Sequence, residues 1–167
     1  MKKFKRSAVV MLTALSIVFS SLVSALVITA EQDTAWDGTI AEKYESGAGT
    51  ETDPYIIKNA GQLALLVNDT DTSGKYYALS ADITVNEKLT DSALPWYSVA
   101  VENGTDAVKG AVFNGHFNGN GHTVSGLYYN GTASKIGIFC YAKDANIKRI
   151  KLTDSYIYTT GFAAGAI

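Results

Sequence analysis

An all-β fold, a β-solenoid entered through one short helix, is what this sequence predicts, and three observations carry the prediction. Residues 112–129, VFNGHFNGNGHTVSGLYY, set tight Asn and Gly corners in front of an alternating strand. The apolar pattern of that strand then returns: Val124, Leu127 and Tyr129 recur as Ile147, Ile150 and Leu152, all at the same i+23 offset. A repeat of this size reads as one coil that buries its apolar positions only by stacking on its neighbours. Finally, a single segment after residue 30 carries a convincing helical pattern, and the remainder is short β-rich runs broken by turn residues.

The first thirty residues stand apart from that fold. Lys2, Lys3, Lys5 and Arg6 form a basic start, and Ser7 to about Ile28 is apolar with small residues and no charge. Small residues allow cleavage after Ala25 or after Ala30, so residues 1–30 are expected to be a secretory signal peptide. A retained membrane anchor is the rival reading, because the run is just long enough to span. Of fourteen bases and sixteen acids, four bases and no acids lie in this leader. Ten bases against sixteen acids give the remainder a net charge of −6, where the whole chain has −2. An acidic product of this kind has no bias toward nucleic acid or anionic lipid.

Residues 31–48 read as a linker and first turn, with Trp36-Asp37-Gly38-Thr39 as a local anchor whose indole packs on the end of the core. Residues 49–111 read as an N-terminal cap and first rungs. Asp53-Pro54 marks a turn, since proline fixes its own φ and pushes its predecessor out of the helical region. Tyr55-Ile56-Ile57 follows as a strand. Asn59 can then cap a helix, with Gln62 at capping-box spacing and Leu63, Leu66 and Val67 as its apolar stripe. That helix is expected to plug the first rung and hide its open strand edge. Tyr76 to Val85 reads as a strand kinked near Asp82, and 86–110 as an irregular excursion holding Pro95 and Trp96.

Residues 112–167 read as rungs of an incomplete solenoid. Asn-Gly pairs occur at 103, 114, 118, 120 and 130. Those at 114, 118 and 120 are too close together for hairpins. They fit corners, because Asn and Gly tolerate left-handed backbone angles. The final Gly161-Phe162-Ala163-Ala164-Gly165-Ala166-Ile167 is similar to the earlier Lys135-Ile136-Gly137-Ile138-Phe139, at an i+28 offset. The chain is therefore expected to stop in mid-repeat, as an N-terminal piece of a longer product.

GTETDPYIIKNAGQLALL with YYALSADI, FNGHFNGNGHTVSGL, and GIFCYAKDANIKRIKL with AAGAI together resemble exported bacterial β-helix surface proteins with GLUG-type repeats. The resemblance spans roughly residues 36–167. It implies a right-handed parallel β-helix of the pectate-lyase-like kind, secreted or held at the bacterial cell surface. Asn118 stands where that family prefers Asp, and Cys140 where it prefers Gly.

Candidate chemistry is sparse. His116 and His122 share the glycine-rich corner, at a spacing that matches no helical metal motif, and read as corner residues bonding the neighbouring rung's backbone. Asp82, Glu87, Asp91, Glu102, Asp106, Asp144 and Asp154 are scattered, whereas glycoside hydrolysis needs two carboxylates set across one bond. Asp69 and Asp71 read as a solvated turn, and Cys140, the one cysteine, as a small core residue. Trp96, Tyr97, Tyr128, Tyr129, Tyr141, Tyr156 and Tyr158 read mainly as rung packing, although exposed rings on a flat face also suit sugars. No catalytic, cofactor or metal residues are therefore assigned. The expected function is a non-catalytic exported module for adhesion, display or carbohydrate contact. Its expected partners are host or cell-wall glycans or proteins and further rungs of the same product. The alternative is an N-terminal accessory part of a larger secreted carbohydrate-active enzyme or peptidase.

Overall fold

The computed structural model of the chain describes residues 35–96, 112–132 and 136–161, all within the unit Asp33–Ile167. Residues 1–34, Tyr97, Glu102, Asn103, Asp106 and the stretch from Phe162 lie outside the described residues.

Strands and a single helix make up the regular structure of the described residues. Strand β1 (Tyr55–Ile57) follows the Asp53-Pro54 turn and leads into helix α1 (Ala60–Val67). Asn59 is extended, and its side-chain oxygen accepts from the Gln62 N–H at 3.0 Å. The Gln62 side-chain oxygen reaches back to the Lys58 N–H at 2.8 Å, one residue beyond the usual capping-box partner. At the other end the Asn68 amide donates to the Ala64 carbonyl at 2.7 Å. Leu63, Leu66 and Val67 are buried, each worth about 2 kcal/mol of apolar transfer.

Helix α1 fills the connection from β1 to β2 (Tyr76–Leu79). It is not what closes the β1 edge. That edge is covered by residues 45 and 46, where the Glu45 N–H donates to the Ile56 carbonyl and the Ile56 N–H to the Ser46 carbonyl, both at 2.9 Å. Trp36 anchors the same end. Its indole N–H donates to the Thr39 carbonyl at 2.7 Å, and its ring meets Trp96 edge-on at 5.3 Å.

Beyond β2 the chain bends at Ser80–Asp82 into β3 (Ile83–Thr84), the expected kink. Later come β4 (His116–Asn118), β5 (Thr123–Ser125) and β6 (Tyr128–Gly131), then β7 (Asn146–Lys148), β8 (Lys151–Thr153) and β9 (Tyr156–Thr159). Three sheets result, ordered β1-β2-β4-β7, β3-β5-β8 and β6-β9, and every strand pairing in them is parallel. From β4 on, successive strands enter successive sheets, β4 to β6 and then β7 to β9, and the chain returns to each sheet one strand further along.

The register corrects the i+23 repeat. Phe117 pairs with Ile147, at i+30, while Val124 pairs with Leu152 and Tyr129 with Ile157, both at i+28. Val124 and Ile147 stand in different sheets, and Leu127 lies opposite Ser155, whose hydroxyl accepts from the Leu127 N–H at 3.1 Å. The cause is local. Each three-residue strand has the same flank–apolar–flank pattern, so the i+23 shift aligns β5 with β7, a neighbouring strand of the wrong sheet. The two true spacings differ because the β4–β5 corner is turned by 119–122 and the β7–β8 corner by 149–150 alone. The longer corner uses Asn120 at φ 53° and Gly121 at φ 86°. Asn130-Gly131, by contrast, lies within β6.

Inside the sheets, Tyr77, Phe117, Val124, Leu127, Leu79 and Ile83 are at most 1% exposed. Rings continue through this interior, with Tyr44 stacked on Tyr55 at 4.6 Å and Phe113 on Phe139 at 4.4 Å.

Candidate functional site: a polar groove across the first sheet

Alternation along a strand sends neighbouring side chains to opposite faces. In the first sheet Tyr77, Phe117 and Ile147 turn inward. The residues flanking them turn outward in two aligned rows: Tyr76, His116 and Asn146 in one, Ala78, Asn118 and Lys148 in the other. Glu51 and Pro54 from the preceding turn complete an open groove of about 390 Å³ over these rows. Tyr76 lies flat on His116, with ring centroids 4.2 Å apart and planes 14° apart. Ala78, with no reach, leaves the second row open beside Tyr76.

His116 is thus a strand residue in the groove and not a corner residue, which corrects its expected place. His122 does stand in the corner, but it bonds a side chain and not backbone: Nδ1 lies 3.1 Å from Asp82 Oδ1. The same oxygen accepts from the Thr123 N–H at 2.9 Å. That backbone bond first, and His122 second, hold the Asp82 carboxyl below the usual carboxylate range. Among the described residues no group of three or more His, Cys, Asp or Glu is placed to hold a metal ion.

The Asp69–Asp71 turn is more than solvated. Lys75 Nζ lies 3.5 Å from Asp69 and 3.4 Å from Asp71, and the Tyr77 hydroxyl donates to Asp69 at 3.3 Å. Partial burial lowers the Lys75 pKa, yet the two carboxylates outweigh it and the net shift is upward. Burial, aided by Tyr44 and Asp69, pushes the Tyr77 phenol well up.

Of the aromatics singled out from sequence, Trp96 is buried, Tyr128 stacks on Tyr156 at 5.7 Å, and Tyr141, Tyr156 and Tyr158 are exposed. Cys140 is half-buried at the margin of the core, not within it.

Sequence reasoning missed the residues that clip one pass of the chain to the next. The Asn86 amide donates to the Leu94 carbonyl at 3.0 Å and the Gly126 carbonyl at 2.8 Å, and its oxygen accepts from the Leu94 N–H at 2.7 Å. The Asn120 amide donates to the Leu79 carbonyl at 2.8 Å. Thr72, 1% exposed, bonds both the backbone and side chain of Asn114. Asn120 sat in an Asn-Gly pair read only for its backbone tolerance. Asn86 and Thr72 carry no local signal, since their partners Gly126 and Asn114 belong to the next pass of the chain.

No family model matches the chain, and no solved structure matches it. A protein described as a Gly-rich membrane protein in Evansella cellulosilytica is 29% identical over 123 residues, covering 72% of this chain and 13% of that protein. Halomucin of Haloquadratum walsbyi is 30% identical over 108 residues, covering 62% of this chain and 1% of that protein. The chain therefore spans a small fraction of the curated relatives it matches.

Proposed function

We propose that the chain is a right-handed parallel β-helix module of a bacterial exported protein, one that serves adhesion, display or carbohydrate contact at the cell surface without a catalytic centre of its own. The observation that carries this reading is the set of three parallel ladders, whose partners recur at i+30, i+28 and i+28. Coils stacked in this way form a stiff rod whose interior is closed and whose outer faces are free for contact. The basic start and apolar run of residues 1–30 support export. The name of the Evansella relative, a membrane protein, supports a place at the cell envelope.

A second reading, the N-terminal accessory part of a larger secreted enzyme or peptidase, is favoured by one observation: both relatives are many times longer than the matched stretch. Protease shaving of intact source cells, followed by immunodetection of this segment, tests export. A surface-module reading expects the segment to be released from intact cells, and retention inside unbroken cells would sink it. The coil itself is tested by paired cysteines in a Cys140→Ser background. Ser125→Cys with Thr153→Cys should form a disulfide under mild oxidation, because these residues are register partners. Val124→Cys with Ile147→Cys, in different sheets, should stay reduced.

A further inference from the structure

We propose that the groove over the first sheet binds a neutral, hydroxyl-rich polysaccharide laid along the direction in which the strands stack. The proposal rests on the reading above that this face meets the extracellular medium, and it names what the face takes.

The argument begins with spacing. Parallel neighbours lie about 4.8 Å apart, so Tyr76, His116 and Asn146 present a polar group at each such step. Asn118 and Lys148 form a second row, two positions and therefore roughly 6.6 Å along the strands. A ligand matching two regular rows must itself be extended and repetitive.

Functional groups narrow the class. Asn146 offers two donors and an acceptor, Asn118 offers its two donors while its oxygen already accepts from the Asn120 N–H at 3.0 Å, Tyr76 offers a hydroxyl, and His116 a ring nitrogen of either sense. Hydroxyls, which donate and accept at once, are the natural complement. The rings do not form a pocket for an apolar anchor, because Tyr76 and His116 each spend one face on the other. The groove is otherwise lined by the small Ala78 of the second row and by Tyr77 and Phe117, whose side chains turn inward and are buried. A protein partner would need a desolvated aromatic or aliphatic anchor seated in such a pocket.

Charge excludes the polyanions. Glu51 and Lys148 sit on the same groove and offset each other. The whole chain carries −2, and residues after the leader carry more negative charge still. A repeating acid would be repelled at range and would find one lysine to pair with.

The test is binding of the purified chain to an array of neutral and acidic polysaccharides, followed by affinity electrophoresis on each hit, with polygalacturonate as the polyanion control. The wild-type chain should be retarded by at least one neutral polysaccharide and not by polygalacturonate. Asn118→Ala with Asn146→Ala should weaken that retardation by about tenfold or more, while Lys148→Met should change it by less than about threefold. Both variants alter outward side chains, and an unchanged thermal melt shows that the fold survives. Absence of any neutral hit, retardation by polygalacturonate that Lys148→Met abolishes, or binding indifferent to the double variant would each overturn the proposal. Release of the segment by cell shaving is a separate readout, so a module that is exported but binds no neutral glycan sinks this inference alone.

Discussion

Strands β4 to β6 and strands β7 to β9 each pass once through the three sheets; these two passes, here the middle and the last described coil, repeat one pattern and have different fates. In the middle coil Phe117, Val124 and Leu127 are at most 1% exposed. Their counterparts Ile147, Leu152 and Ser155 are all partly exposed. The strands of the last coil stand at the ends of all three sheets, whereas β4 and β5 are paired on both sides. Burial here is set less by the residue than by whether a coil lies on each side of it. Among the described residues β7, β8 and β9 pair on one side only, so an apolar side chain there has fewer neighbours.

That contrast breaks first at its largest difference. Phe117→Ala should cost about 3–5 kcal/mol, the range for deleting a fully packed aromatic. Ile147→Ala, one coil on, should cost well under half of that, because much of the side chain already meets water. Urea unfolding of both variants measures the pair. Equal losses would mean that the open end is covered in solution, by another coil or another molecule.

A smaller effect lies at the corner after β5. Gly126 has φ 76°, and a Cβ there would collide with the Asn86 backbone, which the Asn86 side chain pins in place. Gly126→Ala should cost roughly 2 kcal/mol, joining backbone strain to a clash that rigid main chain cannot relieve. The matching residue of the last coil, Asp154, adopts φ 45° with a side chain already present, so Asp154→Ala should cost distinctly less. Thermal melts of the two variants compare them.

Smaller again is the contribution of Asp82 to acid stability. Its folded pKa lies below the ordinary 3.8, through the Thr123 N–H and then His122. A depressed folded pKa stabilises above the unfolded value, and that stabilisation fades as pH falls through the folded one. Asp82 is largely exposed, so the effect is slight. Wild type and Asp82→Asn should differ in melting temperature at pH 6 and converge as the pH falls well below the ordinary 3.8. A difference that persists in acid would place the role of Asp82 in something other than its charge.

Local features of this fold were legible and its long-range ones were not. The Asp53-Pro54 turn, β1, the Asn59 cap, α1, the bend near Asp82 and the corner at Asn120-Gly121 each follow from a few adjacent residues, whereas Asn118, also read as a corner, lies in β4. The coil length did not follow, because three near-identical strands per coil give several competing apolar alignments. The i+28 likeness at the chain's end agrees with the register of the second and third sheets, while the i+23 one crosses between sheets. The groove was hidden for the same reason. Tyr76, His116 and Asn146 stand far apart along the chain, each on a separate pass, and only the correct register sets them in one row.

Corner length supplies the finest comparison. In the middle coil Gly121 takes φ 86°, and in the last coil the matching position is Arg149 at φ 56°. A side chain in the left-handed region costs about 1 kcal/mol, which Arg149→Gly would release. Glycine also enlarges the freedom of the unfolded chain, which takes back about 0.4–1 kcal/mol. The two nearly offset, so Arg149→Gly should leave stability within about 0.5 kcal/mol of wild type, in contrast to the same glycine exchanged for alanine at 126. A loss above about 1 kcal/mol would show that the Arg149 side chain is held by the next coil, and that the last described corner is an interior one after all.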